Sequence, residues 1–432
     1  MPLPVQEASG IIAAFSDKEF PVAVEIRPYR PEESDAFHRV PAIVFGHYTG
    51  QPFAGPRVML PEWTLCAFED GELATAYGAF PLVQVINSGP VPAAGVSFVG
   101  TLPQFRRKGH LRKIHETDFR RRYEERREPL AILTASIAGI YQRYGYAVVT
   151  TSARYSIDPR WIKLAPSLPK ASGSFRDGTK DDLPVLQRIY DEFMRERNGY
   201  LQRIDLLWEM QTLGIHSWFD PIPLGESVLS IYEEAGEPKG YVAWSPKWVG
   251  SLHLDSGPAG QRIFVRDFAW NTPGAYRAMW DMFSTFDLAS RIHVEAAPTD
   301  DPAFHVMLDP RELNATHRDV IMARIVDVER LLPMRPYAAA GRMVFELRDE
   351  LCPWNAGRWS LEAGEGGSRM SRTTESAQLA LDVSALAQLL YGQVSPSNAV
   401  RYGRAEAVPG APLDQWDDMF RTKFAPFCPN LF

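Results

Sequence analysis

Arg106, Arg107, Lys108 and Gly109 follow directly on an apolar run, residues 96–102, and stand directly before a charged helical pattern. Strand, basic-glycine turn, helix is an order that builds a pyrophosphate site. Backbone N–H groups at a helix start, with the helix dipole, attract the anion, and glycine lets it come close. A basic run alone is more often a solvated helix start. Its place straight after an apolar strand argues for the anion. Further on, residues 130–134 form a second apolar strand, and after a short turn Tyr141, Tyr144 and Tyr146 make an aromatic cluster. Arg120, Arg121, Arg122, Arg126 and Arg127 are interleaved with Glu124, Glu125 and Glu128, and are expected on an exposed helix face.

These residues need a scaffold, and the flanking sequence supplies one. A strand starts near Ala23. Pro31 with Glu32 and Glu33 then opens a helix, since proline suits the first turn and acids suit its dipole. That helix runs through Phe37, Val40, Ile43 and Val44 to Phe45. Residues 63–68 and 73–86 read as antiparallel strands joined at Glu69-Asp70-Gly71, a hairpin signal. The order β, α, β, β, β, α, β, short α, β predicts an α/β fold in which helices layer a sheet. Residues 1–22 read as an N-terminal extension, and the first unit is expected over 23–165.

A second unit is expected over 174–312. Lys180-Asp181-Asp182-Leu183 starts a helix whose apolar positions are Leu183, Leu186, Ile189, Tyr190 and Phe193. A hairpin follows around Glu237-Pro238-Lys239-Gly240, then a strand over 263–270, a helix over 274–286 and a strand over 291–296. The order echoes the first unit. Between strand and helix, however, stands Asn271-Thr272-Pro273-Gly274 with no paired arginines, so the phosphate site is expected to be lost there. A third unit, 319–432, contains strands over 341–350 and 357–364 and a helical pattern over 383–390. It closes on an apolar, proline-rich tail that is expected to dock.

Composition sets outer limits. At roughly 150 residues per domain, 432 residues suggest three domains. Hydrophobic content of 45% and charged content of 23% suit a soluble globular chain. A net charge of −7 argues against nucleic acid as a partner and favours cationic ones. The three cysteines, Cys66, Cys352 and Cys428, lie far apart. No disulfide framework or zinc site is expected, and a reducing, cytoplasmic setting is. The nine histidines are scattered, and no metal site is expected. Neither a secretory signal nor an apolar stretch of about 20 residues able to span a membrane is apparent.

Five blocks recur in a known order and spacing. They are Ser97-Phe98-Val99, the run from Pro103 to Gly109, Leu111-Arg112, Ala135-Ser136, and Gly139-Ile140-Tyr141 with Arg143-Tyr144-Gly145-Tyr146. Together they resemble the acetyl-CoA-binding core of GNAT-type N-acetyltransferases, and more narrowly the Eis (enhanced intracellular survival) family. The resemblance implies two tandem GNAT-like domains, the second degenerate, and a C-terminal sterol-carrier-protein-like α+β domain whose opening is matched by residues 321–332. It implies acetyl-CoA as co-substrate and direct attack by a primary amine, of a small molecule or a peptide, in a ternary complex.

Roles carry over residue by residue. Arg106, Arg107, Lys108, Gly109, Leu111, Arg112 and Ser136 would hold the CoA. Phe98, Val99 and Thr101 would lie along the pantetheine and meet it through backbone groups. Tyr141 would be the general acid: a phenol of pKa about 10 can protonate a thiolate whose thiol has a pKa of about 8.5. Tyr144 and Tyr146 are expected to pack. The Phe432 α-carboxylate would serve as general base, and Phe45, His47 and Phe98 would contact the amine substrate. The resemblance further implies a structural role for the third domain and a homo-hexamer.

Three positions depart from the family pattern. Thr101 replaces a common valine, which matters little to backbone contacts. Ile137 and His47 stand where family members often carry acids. Those acids hold polycationic aminoglycosides, so their loss points to a less charged amine. Two alternatives stay open at this stage: a non-catalytic acyl-CoA or lipid-binding protein, and an acyltransferase of secondary metabolism with a different donor or acceptor.

Overall fold

The computed structural model describes residues 23–51, 57–215, 224–249 and 260–432. The extension expected over 1–22 lies outside them. The first lobe runs β1 (Val24–Arg27), α1 (Ser34–Val44), β2 (Cys66–Glu69), β3 (Glu72–Ile86), β4 (Gly89–Thr101), α2 (His110–Glu124), β5 (Leu130–Thr134), α3 (Ala138–Gln142) and β6 (Ala147–Val148). Asp70 and Gly71 both have positive φ, 49° and 84°, as a two-residue hairpin turn needs. Alternate strand residues split between two clusters. Phe80, Leu82, Ala93 and Ile132 pack on one face with Phe37 and Val40 of α1. Ala79, Ala94, Val96 and Leu133 pack on the other with Ile114 and Phe119 of α2.

The chain then crosses to a second sheet. β7 (Thr151–Ile157), β8 (Ser174–Gly178), α4 (Leu183–Met194), β9 (Leu201–Gln202) and α5 (Asp205–Leu207) follow, and α5 runs into a π-helical turn, Trp208–Leu213. β10 (Val228–Glu234), β11 (Glu237–Trp248), β12 (Gln261–Trp270), α6 (Pro273–Phe283), β13 (Ala289–Ala297), α7 (Ala303–Val306) and β14 (Thr316–Asp319) complete this lobe. Its strand order is β14-β7-β13-β12-β11-β10-β8. The third domain contains α8 (Val328–Leu331), β16 (Gly341–Arg348), β17 (Gly357–Gly364), β18 (Gly367–Arg372), β19 (Leu379–Asp382), α9 (Val383–Leu390), α10 (Pro396–Arg401), β20 (Ala405–Ala407) and α11 (Leu413–Phe420). Trp359, Trp416, Leu386 and Leu390 are buried between its sheet and helices.

Three strands cross the boundaries drawn from sequence. β9 lies within residues 174–312 yet pairs with β3 of the first sheet. β7 lies within residues 23–165 yet pairs with β13 and β14 of the second sheet. β15 (Ile321–Ile325) lies within 319–432, where it reads as the opening of the third domain. Instead it inserts antiparallel between β5 and β6 in the first sheet. The two residues of β6 are too few to cover the edge of β5. The five residues of β15, all buried, supply the missing ladder partner.

Arg122 also departs from expectation. It is 4% exposed rather than solvated. Its Nε donates to Asp118 Oδ2 at 2.8 Å, Tyr77 Oη donates to the same oxygen at 2.8 Å, and another Arg122 nitrogen reaches Glu128. The i,i+4 spacing turns Asp118 and Arg122 inward together, where each satisfies the other.

Cys66, Cys352 and Cys428 are buried and free. Among the described residues no helix is long and apolar enough to cross a membrane, and no cluster of three or more His, Cys, Asp or Glu could hold a metal ion.

Candidate active site

β4 and β5 are parallel neighbours that pair only through Ala93–Leu130, Ala94–Ala131 and Gly95–Ile132. Beyond Gly95 they part, and β4 continues to Thr101 paired only with β3. One edge of its backbone N–H and C=O groups therefore faces a gap, where a buried polar edge demands a partner. The β3–β4 register slips in the same place. Ala76 faces Gly100, but Gly78 faces Ser97, so Phe98 and Val99 together oppose Tyr77. Phe98 takes φ 56°, a conformation that strains a side-chain-bearing residue by roughly 1–2 kcal/mol. Such bulges re-aim side chains beside active sites. Here Phe98 turns to the α1 face and Val99 to the α2 face. The Thr101 hydroxyl lies 3.0 Å from that of Thr75 on the neighbouring strand.

The basic turn sits at the end of β4. Arg107 (φ 66°) and Gly109 (φ 83°) both adopt left-handed conformations. The first α2 bond is Lys113 N–H to Gly109 O, at 3.1 Å, so the N–H groups before it point outward. A Cβ added at Gly109 would meet nothing within 4 Å: the space above the helix start is open. Arg106 and Arg107 are exposed, and Arg106 Nε donates to Thr101 O at 3.2 Å.

Lys108 is engaged elsewhere. Its Nζ lies 2.5 Å from Glu69 Oε1, and His110 Nε2 lies 2.7 Å from Glu69 Oε2. Lys108, then His110, hold the Glu69 carboxyl below the usual carboxylate range. Lys108 thus offers an anion its backbone N–H, while its ammonium fixes the β2–β3 hairpin to the turn. Leu111 packs into the α2-face cluster. Arg112 pairs with Glu116 at 2.8 Å on the helix surface. Ser136 is exposed in the turn between β5 and α3.

Tyr141 stands on α3, half-buried in the α2-face cluster. Burial pushes its phenol up to about 12. Tyr146 and Tyr144 are buried behind it, as packing residues. His115, which the sequence reading passed over, completes the box. It stacks on Tyr144 at 4.5 Å and meets Tyr141 edge-on at 6.4 Å. Its Nδ1–H donates to Leu111 O at 2.9 Å, and burial pushes its pKa down to about 4, so it backs the phenol as a neutral ring. The signal for it was the His115–Phe119 spacing on α2, one helical face.

Phe432 reaches the other side of the gap. It is 8% exposed, and its ring lies so close that a Cβ at Gly95 would sit 3.1 Å from Cδ2 and Cε2. Gly95 is the last residue of β4 paired with β5, so Phe432 arrives where these two strands part. Phe98, Phe37 and Phe80 share its cluster, with Phe98 5.8 Å from Phe37 and 6.3 Å from Phe80. Phe45 and His47 are not brought into this group. Both are exposed beyond the end of α1.

The second lobe repeats the plan without the open cradle. Thr272 caps α6, accepting from Ala275 N at 3.1 Å, and its hydroxyl lies 3.1 Å from Glu234 Oε1. A Cβ at Gly274 would collide with that same carboxylate oxygen. The helix start that could have held a phosphate already holds the chain's own anion.

A family model described as an acetyltransferase (GNAT) domain matches residues 25–149, a second GNAT model matches 199–325, and a sterol carrier protein domain model matches 328–429. An uncharacterized N-acetyltransferase of Streptomyces avermitilis is 33% identical over 367 residues, which cover 82% of this chain and 86% of the relative. The N-acetyltransferase Eis of Mycobacterium tuberculosis is 26% identical, covering 79% of this chain and 84% of its own. The crystal structure of Eis1 from Mycobacterium abscessus superposes with a TM-score of 0.79 at 27% identity, over 94% of this chain and 100% of that one.

Proposed function

Because the chain belongs to the Eis-like GNAT N-acetyltransferases, we propose that it moves the acetyl group of acetyl-CoA to a primary amine by direct attack in a ternary complex. The observation that carries this reading is the parting of β4 and β5 beyond Gly95 and Ile132, with the open helix start of α2 at its end. The residues present fit the donor. The N–H groups around Gly109, with Arg106 and Arg107, hold the pyrophosphate, and the stretch of β4 that β5 does not cover, Phe98 to Thr101, takes the pantetheine. Donors fixed along that stretch stabilise charge on the thioester oxygen, the contribution that is usually largest.

Tyr141 gives its proton to the departing thiolate from one face of the gap. The Phe432 carboxyl accepts a proton from the amine on the other. Half-buried Phe98, with Phe37 and Phe80 buried behind it, supports an acceptor with an apolar flank and few charges. Exposed Trp161, Phe304 and Leu308 on the second lobe support the remaining part of the proposal, a homo-oligomer, hexameric by the same resemblance, which sedimentation of the untagged protein checks.

The test is CoA release from acetyl-CoA, followed with a thiol reagent, across a panel of aromatic monoamines, polyamines, aminoglycosides and short peptides. Turnover with at least one amine, aromatic monoamines ahead of aminoglycosides, is the expected result. No release with any amine, although acetyl-CoA binds, would contradict the proposal.

Gly109→Ala gives a second expectation. The left-handed backbone disfavours alanine by about 1–2 kcal/mol, and the methyl projects into the space left for phosphate. Acetyl-CoA affinity is expected to fall at least about tenfold, equal to 1.4 kcal/mol, with the melting profile little changed. Calorimetric titration of the variant measures it.

A further inference from the structure

The gap that shapes the first lobe exists in the second lobe too, and there the chain's own tail fills it. β12 and β13 pair in parallel only as far as Val265 and Val294. Beyond that point Phe268 and Trp270 on one strand and Ala296 and Pro298 past the other wall a space that Phe427 and Pro429 of the tail close off. The tail is held along its length. Ala425 N donates to Asp300 Oδ2 at 2.8 Å and Phe427 N to Asn198 O at 2.9 Å. Gly199 (φ 87°) lets Phe427 pass, since a Cβ there would lie 2.8 Å from its carbonyl oxygen.

The tightest grip is near the end. Gln211 Nε2 donates to Pro429 O at 2.5 Å, and Gln211 Oε1 accepts from Asn430 Nδ2 at 2.8 Å. Asn430 is 0% exposed, and its Oδ1 lies 3.5 Å from both Tyr190 Oη and Arg203 Nε. Arg203 is itself fixed by two bonds to buried Asp267, at 2.6 and 2.8 Å, and Asp267 also accepts from Thr212 and Tyr241 at 2.7 Å each. Gln211 and Thr212 both ride on the π-helical turn Trp208–Leu213, a geometry that recurs at functional sites.

We propose that the second lobe's gap is a socket for the tail, and that its Gln211–Asn430 clamp sets the position of Phe432 in the first lobe's site. Gln211 is then a positioning residue for acyl transfer. This rests on the reading that the Phe432 carboxyl accepts the amine proton. Phe432 lies two positions after Asn430, a reach of at most about 7 Å, so a clamp at Asn430 leaves the carboxyl little freedom. A misplacement of about 1 Å can lower a rate about 100-fold. With Glu234 at the α6 start and the tail in the gap, both halves of a CoA site in this lobe are occupied by the chain itself. The second lobe acts on the reaction by holding a reactant group of the first.

A double-variant cycle with acetyl-CoA and a responding amine tests this: wild type, Gln211→Ala, the chain amidated at the Phe432 carboxyl, which removes that charge and keeps the ring, and both together. Gln211→Ala is expected to lower kcat about tenfold or more, to leave the acetyl-CoA dissociation constant within about twofold, and to shift the acidic limb of the kcat–pH profile. In the amidated chain, Gln211→Ala is expected to change kcat by less than about twofold. If Gln211→Ala leaves kcat intact while the amidation lowers it, the socket is overturned and the carboxyl reading stands. If the amidation has no effect, the carboxyl reading itself fails. If the two effects simply multiply, Gln211 is a general structural residue and the proposal is wrong. Should Gln211→Ala not fold, Gln211→Glu, which keeps the Asn430 contact and repels the Pro429 carbonyl, takes its place in the same cycle.

Discussion

Tyr141→Phe is expected to lower kcat by about 100- to 10,000-fold, the range for loss of a positioned general acid, while acetyl-CoA affinity stays within about twofold. The ring is retained, so its contacts with Tyr146 and His115, at 5.8 and 6.4 Å, survive. Only the proton is lost. Burial that raises the phenol to about 12 keeps it protonated throughout the working pH range, which is what a donor to a thiolate requires. The sign follows directly: with an acid of raised pKa, wild-type kcat shows no decline assignable to Tyr141 below about pH 11. Single-turnover kinetics on the variant separates the chemical step from product release. A variant that loses affinity but keeps its rate per bound complex would remove Tyr141 from the chemistry.

The second large effect concerns stability. Asp349→Ala is expected to destabilise the fold by about 3–5 kcal/mol, the usual consequence of breaking a buried ion pair from one side. Arg324 is 0% exposed. It donates to Asp349 Oδ1 at 2.6 Å, to Tyr144 O at 2.7 Å and to Ile325 O at 2.5 Å. One guanidinium thereby joins the inserted strand β15, the turn after α3 and the third domain. Its Nε and Cδ also line Gly145 (φ 83°), where a Cβ would come within 2.8 Å of Nε. Removing the carboxylate leaves a buried cation beside the turn that follows Tyr141, so activity is expected to fall with stability. Urea unfolding, followed by far-ultraviolet circular dichroism, measures it. A loss below about 1 kcal/mol would mean that water reaches the pair and that it behaves as a surface salt bridge.

Much of the first lobe, and one helix of the third domain, was legible because the signals are local. The Asp70-Gly71 turn, the strand Leu130–Thr134 and the helix Val383–Leu390 follow from turn chemistry and periodicity, and the structure has them. The basic-glycine turn was legible for the same reason: strand, turn and helix are contiguous. What was not legible depends on partners distant in sequence. β15 reads as the start of the third domain because a short, mostly apolar run before a helix looks alike in either setting, and only the uncovered edge of β5 decides. Lys108 reads as a phosphate ligand until Glu69, 39 residues away, takes its ammonium. Arg122 reads as solvated within a charged run until Asp118 and Tyr77 bury it. The bulge at Phe98 has no glycine to mark it, and the route of the tail through the second lobe is written in no motif at all.

The most direct measurement is calorimetric titration of acetyl-CoA into the untagged protein and into Arg106→Ala/Arg107→Ala. Binding in the micromolar range by wild type, weakened at least about 30-fold (about 2 kcal/mol) in the double variant with its melting profile unchanged, is the expected result. Equal affinity in the two proteins, or no heat with wild type, would contradict a donor site at the start of α2.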